Sequence, residues 1–225
     1  MTLYSRPGND LSRGLVGYWK LNDLKSDVAN TTAIDISKFN DMTISDGING
    51  TDINGTLGNA LEFNGTSTDV VLNNNGTYIN ENSTWSYWAV SDDVTALKYI
   101  MAYGVDGTDR YLFGHNASDV FGFDDINDAG ASQTFTPGTI LTNDIWFHVA
   151  IVFNSDGKKT AFLNGVEQIT FSTATSMSDI GANPELKFGQ TIAGSLWYAG
   201  SMQKMRIYNR ALTGGEISKL YRLRE

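Results

Sequence analysis

The chain is 225 residues long, 41% hydrophobic and only 18% charged, which is enough apolar material for one large core in a single β domain. Its formal net charge is −9, and its basic residues form no cluster beyond Arg222 and Arg224; this argues against a nucleic-acid partner, because phosphate backbones are gripped by grouped Lys and Arg. It has no cysteine, which excludes disulfides, thiol nucleophiles and cysteine-ligated zinc, and no apolar run nears the roughly 20 residues that span a bilayer.

Residues 1–13 read as an N-terminal arm, with turn chemistry at Pro7-Gly8-Asn9-Asp10. Its sizeable apolar groups are Leu3, Tyr4 and Leu11. Burying them returns about 1.5–3 kcal/mol each, too little to order the segment at about 1–2 kcal/mol of backbone entropy per residue. The arm is therefore expected to dock on another subunit, with Tyr4 and Leu11 as anchors and Arg6 and Arg13 meeting carboxylates. The stretch after Met1 lacks the apolar core of a signal peptide, so synthesis in a cytosol without standard export is the expectation. The domain proper is placed at residues 14–225.

GLVGYWKL from Gly14 to Leu21 reads as the first strand. Asp35 to Asp41 is a polar loop, followed by short strands at Met42–Ile44, Ala60–Phe63 and Val70–Leu72. Trp85 to Val90 alternates aromatic and small residues, as a sandwich strand does. Tyr99–Tyr103, Arg110–Gly114, Val120–Asp124 and Gln133–Phe135 follow with turn signals between them, a spacing that favours a sandwich over βαβ units. Trp146 to Phe153 is apolar at nearly every position, as in a strand buried on both faces, and Trp146 is expected in the core. Asn154 to Lys159 is a turn in which Gly157 takes a positive φ. Asn164-Gly165 joins Thr160–Leu163 to Val166–Phe171 as a type I′ hairpin. Leu186–Phe188, Ser195–Ala199 and Met202–Asn209 complete the strands. One helix is expected, Thr213 to Tyr221, with Thr213 and Glu216 in capping-box spacing. Asn-Gly-Thr at Asn49, Asn54, Asn64 and Asn75 is formally a glycosylation acceptor and reads better as a turn.

GLVGYWKL, ALEFNG at Ala60–Gly65, WFHVAIVF with AFLNGVE, and MRIYNRALTGGEISKLY occur in that order. Together they resemble the laminin-G-like branch of the concanavalin A-like lectin/glucanase superfamily. The resemblance implies an all-β, two-sheet antiparallel jelly-roll sandwich with adjacent first and last strands and one short C-terminal helix. It leaves Arg206 and Arg210 to anchor carboxylates or backbone carbonyls.

Relatives of this kind often hold one calcium between a loop after the first strand and the last strand. The resemblance would draw ligands for Ca2+ from Asn22, Asp23, Asp35, Asn40 and Gln203. Gln203 and Lys204 stand where the family pattern carries acids, which weakens a cation site. The run from Asp124 to Asp128 fails the EF-hand pattern and reads as a turn. Glucanases of the superfamily pair acidic residues on one strand, and both glycosidase mechanisms need two carboxyl groups. Here no Glu in a strand has an acidic residue two or four positions away, so the chain is expected not to be an enzyme. His148 reads as a core histidine, and His115 lies at a strand end with no nucleophile in catalytic spacing.

A sugar site needs an aromatic face with polar neighbours. Tyr103 with Asp106 and Asp109, and Trp197 with Tyr198, are the candidates. The functional expectation is a non-catalytic, lectin-like recognition or adhesion module. An exterior position on a tailed virus, as a capsid decoration or appendage protein, suits a chain without an export signal. Its partners would be other virion subunits, further copies of itself and a cell-surface glycan. An extracellular or cell-surface location is the alternative. A purely structural decoration protein docking through its arm is the second reading, and a glucanase-type hydrolase the third.

Overall fold

The computed structural model describes residues 11–21, 32–37, 41–45, 60–72, 81–105, 110–126, 132–136, 138–172, 180 and 184–223. In chain order the strands are β1 Leu15–Trp19, β2 Thr32–Ala33, β3 Met42–Ser45, β4 Leu61–Asn64, β5 Asp69–Leu72, β6 Thr84–Ser91, β7 Lys98–Gly104 and β8 Arg110–His115. They continue as β9 Phe121–Ile126, β10 Ser132–Phe135, β11 Phe147–Phe153, β12 Lys158–Leu163, β13 Val166–Ser172, β14 Glu185–Phe188 and β15 Ala199–Tyr208, before helix α1, Gly214–Arg222.

The strands form two antiparallel sheets, a jelly-roll sandwich. The seven-stranded sheet runs β1-β15-β6-β11-β12-β13, with β4 also paired to β15, and the eight-stranded sheet runs β10-β9-β8-β7-β14-β5-β3-β2. First and last strands are adjacent, Trp19 opposite Met205. β1 pairs with the second half of β15 and β4 with its first half. Between them lies a bulge where Lys204 takes φ +54° and donates its N–H to the Lys20 carbonyl.

Strand alternation explains the core. On β6, Trp85, Tyr87 and Ala89 point between the sheets; on β11, Phe147, Val149, Ile151 and Phe153 do. Trp85 is fully buried against Tyr103 (centroids 5.1 Å apart), Phe113 (6.0 Å) and Phe153 (4.6 Å). The alternate residues Ala150, Val152, Phe162 and Tyr208 face outward and are covered by Ile217 and Leu220 of α1. The turn readings hold. Gly157 is at φ +81°, and Asn164 and Gly165 at +52° and +78°, as a type I′ turn requires.

Helix α1 begins with the expected capping box. The Thr213 hydroxyl accepts from the Glu216 N–H, while the Glu216 carboxylate accepts from the Thr213 N–H. Arg210 donates to both Glu216 oxygens (3.0 and 2.6 Å) and to the Arg13 carbonyl (2.9 Å). Arg206 lies over the Tyr18 ring at 4.2 Å.

Two expectations need correction, and one strand was not anticipated. Trp146 precedes β11 and is only half-buried; the core tryptophan of the meander's neighbourhood is Trp85. Residues 195–198 are not strand, because Gly194 at φ +77° and Leu196 at φ +53° bend the backbone out of a ladder. β2, at Thr32–Ala33, has no signal of its own and exists only as a partner of β3.

Candidate functional site

The outer face of the seven-stranded sheet is closed. Trp88 stacks on Tyr221 of α1 at 5.4 Å, and His148 lies 5.3 Å from Trp88 and 6.0 Å from Tyr221. His148 Nε2 and Ser86 Oγ are 2.8 Å apart. Burial pushes the imidazole down to about 3, with nearby Arg206 adding to the shift. It is a neutral structural group, as the sequence reading has it.

The outer face of the eight-stranded sheet is different. β8 and β9 place Gly114 directly opposite Gly122, so two adjacent strands lack side chains at one level. On the β7 side, Tyr99 pairs with Gly114. The register slips between Tyr99 and Met101, and the slip puts Ile100 and Met101 in the core while Tyr99 joins Ala102, Leu112 and Ile192 outside. A bulge re-aims a side chain in this way. Gly114 is what admits it, because a Cβ there would lie 1.9 Å from the Lys98 carbonyl oxygen.

A cleft of about 230 Å³ results. Gly114 and Gly122 lie along it, Leu97 and Tyr99 wall one side, and Asp124, Thr134 and Thr136 the other, with His115 and Asn116 at one end. Thr134 sits opposite Asp124 in the β9–β10 ladder. Both threonines are exposed. The Tyr99 hydroxyl donates to Asp124 Oδ2 in a short hydrogen bond. The other carboxylate oxygen, Oδ1, is buried without a partner. Burial, the bond to Asp124 and its charge together push the Tyr99 phenol well above the ordinary tyrosine value, so it stays a donor. His115 is buried with Nε2 3.2 Å from Ser91 Oγ, and desolvation lowers its basicity.

The residues singled out from sequence are not gathered at this cleft. Tyr103 is buried against Trp85. Tyr198 is fully buried, and its hydroxyl donates to the Val90 carbonyl at 2.6 Å. Neither offers a ring face to a ligand, because strand alternation and the turn before β15 aim both inward. Trp197 is half-exposed, on the loop whose Leu196 carbonyl accepts from the Tyr99 N–H (3.5 Å). Asp106 and Asp109 lie outside the described residues, as do Tyr4 and Arg6 of the arm and Asn22, Asp23 and Asn40 of the calcium set. Leu11 is partly buried against the cluster under α1, and the Arg13 carbonyl is held by Arg210.

Asp35 and Gln203 are the described members of the calcium set. Asp35 Oδ1 accepts from the Tyr18 N–H, the Ser37 N–H and the Ser37 hydroxyl, at 2.8, 2.8 and 2.6 Å. Gln203 is fully buried opposite Trp88, and its amide has no partner. Among the described residues no group of three or more His, Asp or Glu could hold a metal. Calcium takes six to eight oxygens, and three of the five candidate ligands, Asn22, Asp23 and Asn40, lie outside the described residues.

Tyr99, Gly114, Gly122, Asp124, Thr134 and Thr136 were not picked out as a site from sequence. Glycine inside a strand is the available signal, since it marks a bulge or a close approach; the phase of Phe121-Gly122-Phe123 puts Gly122 opposite to the core.

The family model described as "Concanavalin A-like lectin/glucanases superfamily", laminin G type 3, matches residues 64–218. No curated protein sequence matches the chain. Among solved structures, one similar fold is domain 4 of AbnA, an extracellular arabinanase from Geobacillus stearothermophilus, in complex with arabinotriose. The TM-score is 0.69 and the identity 20%, over 92% of this chain and 98% of that one. The botulinum neurotoxin serotype D binding domain gives a TM-score of 0.69 at 16% identity, over 93% of this chain and 51% of that one. A botulinum neurotoxin type C structure, described as depending on two ganglioside molecules for cell entry, gives 0.67 at 14% identity, over 94% and 51%. The chain thus spans about half the length of these two toxin chains. At such identities the likeness establishes the fold.

Proposed function

The chain belongs to the concanavalin A-like lectin/glucanases superfamily, and from that premise we propose that it is a non-catalytic carbohydrate-recognition module whose ligand lies in the cleft between Tyr99 and Thr136. The observation that carries this reading is the cleft itself: an outward trough with an aromatic wall, two exposed threonines and one carboxylate beside them. Sugar sites combine an apolar surface with a few placed polar groups in this way. The arabinotriose complex of one structural neighbour supports it by analogy of fold. Asp124 is the single carboxylate among the described lining residues, whereas glycoside hydrolysis ordinarily uses a pair; this favours binding over cleavage.

The test is binding to a panel of immobilised glycans by the full chain and by Thr136→Ala and Asp124→Asn. Both variants should keep the wild-type melting temperature within a few degrees and lose retention on the glycan that the wild type holds. Retention unchanged in both variants would move the site elsewhere, and release of shorter sugars from the bound glycan would replace the module with a hydrolase.

The biological setting we propose is the exterior of a tailed-virus particle, where the module would meet a host glycan. The chain should then co-purify with intact particles, at a copy number set by the subunits it contacts. If deletion of residues 1–13 detaches it while glycan binding persists, the arm carries attachment and the cleft carries recognition.

A further inference from the structure

We infer that the cleft selects uncharged sugars and rejects those bearing a carboxylate, such as sialic or uronic acids, with Asp124 as the residue that decides. The inference rests on the carbohydrate reading of the cleft. Asp124 has one oxygen committed to Tyr99 and the other, Oδ1, buried with no donor. Asp124 lines the cleft, so its carboxylate is the charge that a seated ligand meets. Sugar hydroxyls donate; a sugar carboxylate cannot, and it would bring a second negative charge beside the first.

Among the described lining residues none offsets that repulsion. No Lys or Arg is among the described lining residues. His115, the one described lining group able to carry a positive charge, is disfavoured in its protonated form by its burial. The remaining polar lining, Asn116, Thr134 and Thr136, can exchange hydrogen bonds with hydroxyls but supplies no cation. Arg110 acts on Tyr99 electrostatically but does not line the cleft. The whole chain adds a net −9, which lowers the local concentration of anionic ligands at low salt.

Matched oligosaccharide pairs test this, each an acidic sugar and its carboxyl-reduced counterpart: oligogalacturonate against the reduced oligogalactan, and sialyl-lactose against its reduced form. Titration calorimetry in low and high salt should show the reduced, neutral member binding at least about tenfold tighter, the effect expected of a charge-assisted hydrogen bond gained. Asp124→Asn should shrink that ratio below about threefold by weakening the neutral member and relieving the acidic one. Acidic members binding as tightly as their neutral partners would overturn the selectivity while leaving the carbohydrate reading intact. A ratio unchanged in Asp124→Asn would overturn the role given to Asp124. Failure of every member to bind the folded wild-type chain would overturn both readings together.

Discussion

Replacing Trp85 by alanine should be among the most damaging single truncations in this chain. Trp85 is fully buried on a central strand, touching rings from both sheets: Phe153 on its own side, Tyr103 and Phe113 opposite. Truncating a core tryptophan costs about 3–5 kcal/mol from lost transfer and residual cavity, and three ring partners place this site near the top, at about 5 kcal/mol. A domain of this size shifts by about 2–4 °C per kcal/mol, so the melting temperature should fall by roughly 10–20 °C. Trp146→Ala is the internal control. Half-buried ahead of β11, it should cost under about 2 kcal/mol. Equilibrium urea unfolding with calorimetry measures both, and Trp85→Phe supplies an intermediate value if the alanine variant does not fold. A Trp146→Ala penalty equal to that of Trp85→Ala would refute the assignment of the core to the β6–β11 pair.

Acid sensitivity should have a histidine component. His148 is held at about 3 against an ordinary 6.5, so its contribution is complete above pH 6.5 and is lost as the pH falls, because the unfolded chain takes the proton first. At pH 5 the loss should be about 2 kcal/mol, and His148→Gln should flatten the stability–pH curve between pH 6.5 and 4. Arg210→Met should cost roughly 2–3 kcal/mol at pH 7, the worth of hydrogen bonds to a charged partner. Glu216 is pushed down to about 2, chiefly by its hydrogen bonds to Arg210, so this contribution is present above about 4.5 and the penalty should shrink as the pH approaches 2. Chelator should leave the melting temperature unchanged; a rise of several degrees on adding calcium would instead place a cation near Asp35, since a ligand bound only by the folded state stabilises it.

The architecture was legible because its signals are local. Asn164-Gly165 demands a I′ turn, Thr213 and Glu216 demand a helix start, and the phase of Trp85-Ser86-Tyr87 marks which residues face the core. Trp146 misled because an apolar run says nothing of where its strand begins; the hydrogen-bond ladder decides that, and it starts at Phe147. The cleft was not legible because it depends on relations between strands. Gly114 and Gly122 are eight positions apart in sequence, and only the β8–β9 register makes them neighbours. Tyr99 faces outward only because β7 slips by one residue, which reverses the phase that Tyr103 alone would suggest. Tyr198 looked like a platform because aromatic-next-to-glycine patterns are shared by binding loops and by close-packed corners. Here Gly200 brings the backbone against Val90 and the Tyr198 ring, which is the second case.

The distribution of the helix and the glycines also explains why the cleft opens on the eight-stranded sheet. A sandwich has two outer faces, and each must be either covered or polar enough for water. On the seven-stranded sheet α1 provides the cover: Ile217 and Leu220 seal the apolar patch and Tyr221 closes over Trp88 and His148. Polar groups beneath, such as the Gln203 amide and Ser86, are thereby removed from solvent. The opposite sheet has no helix among the described residues. At the level of the cleft it carries Gly114 and Gly122, where larger apolar side chains would call for a second cover and larger polar ones would fill the trough. Tyr99, almost wholly buried, gives that trough a firm wall because its hydroxyl is tied to Asp124 and its N–H to Leu196. A wall fixed at both ends costs little further ordering when a ligand arrives. The same two ties that stabilise the bulge therefore hold the wall of the cleft in place.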